Sequence, residues 1–317
     1  MAGAPNPGDV HVDSSLTDFS VAYLNDSAAS IARRVFPVIG VPKQSDKYFV
    51  YAAADTLRTD AAKRAPGTAA AERNWNLSTA SYYADVYALA FNISRQLKAN
   101  ADPAIDPEED VVRLLLQDML IREEIDLGAV AFANLWGTYG APGTVWSNAA
   151  SYPINDLSTA IRTVLLATGK RPNVMALGAD TWYKGLSIHE DIVDRLPDNS
   201  ARIISKEFIA NLMGFDEVVV SEVVYNSAAE GIAASNAFAA GATSAFIAYR
   251  APVAGSMVAT AGATFVWQGL LGSAAGVQVK RYDVPKDDAY PRLEVEMAYD
   301  HKVIGSALGY LYHTTVT

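Results

Sequence analysis

The only side chains here with an ordinary titration near neutral pH are four histidines, and there is no cysteine. His11, His189, His301 and His313 fall in unrelated segments with no ligand spacing between them, so each reads as a structural side chain. The missing cysteines remove disulfides, thiolate nucleophiles and sulfur metal sites together. The patterns His-Glu-x-x-His, Gly-x-x-x-x-Gly-Lys and Gly-x-Ser-x-Gly do not occur. Gly169-Lys170 lacks the upstream glycine of a phosphate loop, and Gly269 and Gly272 lie between strand patterns without opening a cofactor-binding helix. Carboxylates cluster at Asp106, Glu108, Glu109 and Asp110, and again at Glu123 and Glu124, groupings that could serve a metal or an acid/base pair. Their setting assigns them instead to the cap and solvated face of a helix, and Asp287-Asp288 to a loop in solvent. No catalytic, metal-binding or cofactor-binding residue is expected, and the chain reads as a non-enzyme.

Composition narrows the remaining classes. The chain has 317 residues, half of them apolar, enough to bury a substantial core. Its formal net charge is −10, so it gains little from neutralising phosphates, and a specific nucleic-acid-binding role is not expected. Residues 1–13 carry neither a basic start nor an apolar core segment, so no secretory signal is expected. No run approaches the ~18 apolar residues of a membrane span. Folding in a cytoplasm is the expectation.

The elements that would position these side chains follow from spacing. Residues 1–46 carry Pro5, Pro7, Pro37 and Pro42 around one helical candidate, Leu16 to Arg34, and do not look like part of a compact core. They read either as a frayed terminus or as an arm draped over its own or a neighbouring subunit. Residues 47–91 read as a long hairpin: a β-rich strand at 47–51, and a return strand from Asn74 with two-residue alternation running to about Leu89. About twenty residues of mixed charge, Ala52 to Arg73, join them without core residues. Residues 106–135 form the clearest helix. Asp106 is its cap, Pro107 its first turn, Glu109 completes a capping box, and Val112, Leu115, Leu116, Met119, Leu120 and Leu127 lie on one broad face. At 1.5 Å per residue that helix could be roughly 45 Å long. A second helix spans about 154–167.

Residues 172–250 alternate strand and helix: a strand at 173–177, a helix from Asp180 to Leu196, a helix Lys206 to Met213 between Ser205 and Gly214, a central strand at 217–225 and another at 245–249. Residues 257–317 are mostly strand. Leu293, Val295, Met297 and Tyr299 face one way, and a final strand at 307–313 should return with them to pack on the long helix.

In this order, the stretches Val10-His11-Val12-Asp13, Asp18-Phe19-Ser20-Val21-Ala22-Tyr23 and Arg34-Val35-Phe36-Pro37-Val38 carry a resemblance. Ser45-Asp46-Lys47-Tyr48-Phe49-Val50-Tyr51, Lys63-Arg64-Ala65-Pro66-Gly67, Thr264-Phe265-Val266-Trp267 and Tyr299-Asp300-His301-Lys302-Val303 continue it over nearly the whole chain. The sequence resembles the HK97-fold major capsid proteins of tailed bacteriophages. The resemblance implies an α+β chain with an N-terminal arm at 1–46 and an E-loop with its root at 47–91. It implies a P-domain at 92–171 with its spine helix at 106–135, an α/β A-domain at 172–250, and strands at 251–317 returning to the P-domain sheet.

The function implied is structural: self-assembly through pentamers and hexamers into an icosahedral shell around double-stranded DNA. Assembly would take place in the host cytoplasm and leave the chain in the virion. The expected partners are further copies of the chain, a separate scaffolding protein and a portal. DNA would be met by non-specific proximity only, and no membrane or cofactor is involved. The contacts expected between subunits are Phe36, Tyr48, Arg58, Lys63, Arg64 and Trp75. Some relatives crosslink subunits through a Lys–Asn isopeptide. Lys63 could supply the amine, but no Asn follows Asn236, so a noncovalent shell is expected. Two other readings stand beside this one: an encapsulin-like nanocompartment with the same fold, and an oligomeric α/β enzyme centred on 172–250.

Overall fold

The computed structural model describes residues 25–26, 29–51, 56–70, 72–74, 76–94, 96, 107–196, 204–253, 258–272, 276–282 and 289–317. Strands β1 (Val38–Val41), β2 (Ser45–Tyr51), β3 (Leu77–Tyr83) and β4 (Asp85–Ser94) precede the long helix α1 (Pro107–Ala131). Next come β5 (Thr138–Gly140), α2 (Pro153–Thr168), β6 (Val174–Gly178), α3 (Glu190–Val193), α4 (Lys206–Met213) and β7 (Glu217–Ser221). The order closes with β8 (Val224–Asn226), β9 (Asn236–Phe238), β10 (Ala245–Ala248), β11 (Gly262–Trp267), α5 (Gln268–Leu271), β12 (Val277–Tyr282), β13 (Ala289–Val303) and β14 (Gly309–Tyr312).

One sheet is organised on β13. Its order is β1-β11-β13-β12, with β4 pairing along β13 from Tyr299↔Asp85 onward. Two-residue alternation puts Leu293, Val295, Met297 and Tyr299 on the covered face, all nearly solvent-free. Helix α1 lies over them through Leu115 and Met119, joined by Ile93 and Val266. Glu108, Glu109 and Asp110 set negative charge at the positive end of the α1 dipole. The expected cap, Asp106, lies outside the described residues. The helix stops at Ala131, giving roughly 37 Å of rod rather than the longer rod expected to 135. Residues 132–135 turn instead, and the Trp136 indole N–H takes up the Ala131 carbonyl at 2.9 Å.

The second sheet has the order β5-β14-β10-β6-β7 and is mixed: β14 runs parallel to β5 and β6 to β7, and the other two pairings are antiparallel. One face is covered by α2 and α4, through Leu157, Ile161, Ile209 and Met213 against Met175, Leu177, Val218 and Val220. The other face meets the last turns of α1, Trp136 and residues 31–36. Two expectations are corrected here. Strand β14 belongs to this α/β sheet and not to the β13 sheet, so residues 251–317 serve both. Strand β7 is an edge and not a central strand; its apolar run reflects burial of both its faces by helices and the N-terminal segment.

Local signals explain three more boundaries. At α4, Ser205 Oγ accepts from Phe208 N at 3.1 Å and Gly214 closes the helix at φ 68°, as its sequence dictates. The helix expected over 180–196 is broken. A π turn at Thr181–Gly185 passes through a 3-10 turn at Leu186–Ile188 to α3, with Gly185 and the extended His189 at the joints. Asp191 N donates to His189 Nδ1 at 3.1 Å, so this histidine is a helix cap. The return strand expected over 74–89 divides at buried Ala84, whose N–H donates to Gln44 O at 2.8 Å. There the chain leaves the two-stranded β2–β3 ribbon for the β13 sheet.

The parts of the helical candidate 16–34 that are described, 25–26 and 29–34, are irregular chain and turns, in which Asp26 O accepts from Ala29 N and Ile31 O from Arg34 N and Val35 N. Ile31, Ala32, Val35 and Phe36 are almost wholly buried, and β1 pairs in parallel with β11. Residues 29–41 are thus core of their own subunit, against the expectation that 1–46 contributes none.

Candidate assembly surfaces

The N-terminal segment is fastened by an acid pair. Glu124, fully buried on α1, accepts from Ser30 Oγ at 2.9 Å, Ile31 N at 3.0 Å and Ala32 N at 3.1 Å through one oxygen. Its other oxygen accepts from Ser221 Oγ on β7 at 2.5 Å. Burial pushes its carboxyl upward and these four donors pull the other way. Beside it, Glu123 accepts from Arg33 Nε at 2.7 Å; burial raises this carboxyl too, against the pull of Arg33. Both acids were expected on a solvated face, and the structure corrects that. They lie where α1 passes under residues 30–33.

His301 is buried on β13 with Nδ1 2.9 Å from Thr264 Oγ1, and its Nε2 meets no partner among the described residues. Burial lowers its pKa to about 4, so the ring is neutral at pH 7. These titratable groups hold elements together. Among the described residues no three His, Asp or Glu side chains gather as metal ligands do.

The β2–β3 ribbon stands apart from both sheets. Its seven pairs run from Ser45↔Tyr83 to Tyr51↔Leu77. The root is secured by Tyr82 and Tyr48, whose rings lie 4.5 and 5.7 Å from Phe265 on β11, and by Tyr83 N donating to Asp300 Oδ2 at 3.0 Å. Further out the ribbon is open to solvent, with Phe49 66% and Leu77 51% exposed; beyond it Leu57 lies against Gly169 at the end of α2. The described part of the connection beyond it, 56–70 and 72–74, is held by its own polar groups. Asp60 pairs with Arg58 at 2.9 Å and Arg73 at 3.6 Å, and Arg64 Nε donates to Thr68 O. Exposed pairs of this kind are worth only ~0–1 kcal/mol each. Apolar side chains are also left in solvent on β4 (Val86, Leu89, Phe91), on α1 (Leu114, Leu116) and on α2 (Leu165, Leu166). Exposed apolar groups of this kind are the side chains that an assembly contact would bury.

The six residues expected at subunit contacts divide. Phe36 is spent inside its own subunit, 6.1 Å from the Trp136 ring and 6.2 Å from that of Phe246, so it has no face left for a neighbour. Tyr48 is half-buried at the ribbon root. Arg58, Lys63 and Arg64 are exposed on the connection. Trp75 lies outside the described residues. Sequence reasoning missed Phe49 and Leu77 as outward groups. The available signal was the unbroken apolar run Tyr48 to Tyr51, which puts an apolar side chain on each face of the ribbon whichever face is covered.

This arrangement of elements as a whole recurs in known structures. The chain superposes on the capsid subunit of the cyanophage P-SCSP1u with a TM-score of 0.63, covering 99% of each chain at 12% identity. The chain has the HK97-type capsid fold. A phage-related protein from Bordetella bronchiseptica shares this fold at TM-score 0.68 and 20% identity, over 92% of this chain and 93% of that one. So does the SrpI encapsulin of Synechococcus elongatus, at TM-score 0.58 and 12% identity over 96% and 95%. By sequence, the HK97-type chain is 22% identical over 221 residues to the major capsid protein of Burkholderia phage BcepMu, covering 68% of this chain and 70% of that protein. No family model matches it.

Proposed function

We propose that this chain is the major capsid protein of a tailed phage, a structural subunit that assembles through pentamers and hexamers into an icosahedral shell enclosing double-stranded DNA. The observation that carries this is the ordered β2–β3 ribbon, which projects Phe49 and Leu77 into solvent from a fold that phage capsid subunits share end to end. A side chain of that size gains about 1.5–3 kcal/mol when buried, and a neighbouring copy laid under the ribbon would supply that burial. The BcepMu relative favours a genome-holding shell over the encapsulin-like alternative, which would hold protein cargo.

In this reading residues 1–46 are the arm, 47–91 the E-loop and root, 92–171 the P-domain, 172–250 the A-domain, and 251–317 the closing strands. Tyr48, Arg58, Lys63, Arg64 and Trp75 meet neighbouring subunits, and Phe36 is withdrawn from that set. A separate scaffolding protein and a portal complete assembly in the host cytoplasm. Each chain of the wall carries a formal net charge of −10, so the wall lies beside packaged DNA without gripping it. Electron microscopy and size-exclusion chromatography of the expressed chain test the proposal: closed megadalton particles support it, and a small defined oligomer refutes it. Nuclease-protected DNA in particles from infected cells, rather than enzyme cargo, separates the phage shell from the encapsulin alternative.

A further inference from the structure

Helices α2 and α4 leave an open groove of about 380 Å³ on the outside of the α/β sheet, lined by Ile161, Arg162, Leu165, Arg171, Arg195 and Leu212. Arg195 has Asp191 at 3.3 Å. Arg171 donates only to the Met213 carbonyl, at 2.6 Å, and Arg162 has no ion pair or hydrogen bond among the described residues. Two guanidinium charges thus face an apolar trough without a carboxylate, in a chain with ten more acidic than basic side chains. Such a trough fits a segment that presents a carboxylate beside an apolar side chain.

The same chain displays one. The hairpin formed by β8 and β9 is built to hold its tip. Asn226 Oδ1 accepts from Ala228 N and Ser235 N, Ser227 N donates to Ser235 O, and Gly231 turns the chain at φ 86°. At that tip Glu230 is exposed with no partner among the described residues, and Ile232 is 68% exposed. The tip and the groove belong to opposite faces of the sheet. The groove helices pack on the face of Met175 and Val218. The hairpin base bonds Ala239 N to Val223 O and sets Ala240 against Gly128 of α1, which covers the face of Ala176 and Val219.

We infer that the Glu230–Ile232 tip of one copy docks in the α2–α4 groove of the next, Glu230 against Arg162 and Arg171, Ile232 against Leu165 and Leu212. A contact between two different surfaces of one chain is head-to-tail, and with a five- or sixfold rotation it closes into the rings of the proposed shell. The inference therefore rests on the shell reading and names one contact within a ring.

Arg162→Glu, Glu230→Arg and the double exchange test it, with assembled mass read by sedimentation velocity and folding by thermal melting. Both positions are exposed, so all three variants are expected to melt as the wild type does. Each single reversal should cut the assembled fraction by about tenfold, and the double exchange should recover at least about threefold of that loss, because it pairs positions 162 and 230 again while Arg171 keeps its charge. Single variants that assemble like the wild type overturn the contact, as does a folded double variant that assembles no better than the singles. Should a reversal disturb folding, Arg162→Lys with a zero-length carbodiimide gives the same decision: a peptide pair joining 162 and 230 between subunits supports the contact, and its absence from assembled particles overturns it. A wild type that never assembles brings down the shell reading and this contact with it.

Discussion

A single carboxylate, Glu124, ties three elements together. It accepts from Ser30 Oγ and two backbone N–H groups of the N-terminal segment and from Ser221 of β7, so replacing it strands buried donors. Hydrogen bonds to charged groups are worth about 1.5–3 kcal/mol each, so Glu124→Leu should lower stability by about 3 kcal/mol in thermal or denaturant unfolding, and limited proteolysis should then cut near residues 29–36. An unchanged melting curve would show that the segment is held by something else. His301 sets a pH dependence of definite sign. Its folded pKa of about 4 lies below the ordinary 6.5, so the stability it contributes is full above pH 6.5 and is lost as pH falls through 4. The difference amounts to about 3 kcal/mol. Glu123 and Glu124, raised by burial, act in the opposite sense, favouring the fold as pH falls through their raised values. Comparing wild type with His301→Asn isolates the histidine: the variant should lose less stability between pH 7 and pH 4, and parallel profiles would contradict its neutral burial. The acid pair was not legible in the sequence, because Glu–Glu within a helix has the same pattern whether it faces water or a buried peptide segment. What decides is a partner some ninety residues away.

Elements governed by local chemistry were legible. The cap and stop of α4 are written in Ser205 and Gly214, and alternation assigned the covered face of β13 correctly. Partners in sheets were not, since period-two alternation says nothing of which strand lies alongside. Hence β14 was expected in the wrong sheet, and the chain was expected to run unbroken through Ala84. The N-terminal segment deceived for a related reason: its prolines forbid regular structure but not burial, and Ile31, Val35 and Phe36 fill a core without belonging to a helix. The ribbon makes an element-scale prediction. Among the described residues its outer half reaches its own subunit through Leu57 at Gly169, one exposed contact, so Phe49→Asp, or deletion of residues 52–73, should leave the melting temperature nearly unchanged while abolishing particle formation. Normal shells from either variant would remove the ribbon from the assembly interface.

For the whole molecule, the proposed shell adds stability through apolar area buried between copies. Obligate interfaces commonly exceed ~2,000 Å², enough to cover the apolar groups left exposed on β2, β3, β4, α1 and α2. No Asn follows position 236 to receive Lys63, so unheated and boiled particles should both run as monomer in denaturing electrophoresis; a ladder of covalent oligomers would contradict this. The most direct test of the central claim is an electron cryomicroscopy reconstruction of the purified, assembled protein. The account predicts closed icosahedral shells in which each β2–β3 ribbon lies across the neighbouring subunit with Phe49 and Leu77 buried there. Particles in which the ribbon folds back on its own subunit, or a preparation that holds only small oligomers with those side chains in solvent, would contradict it.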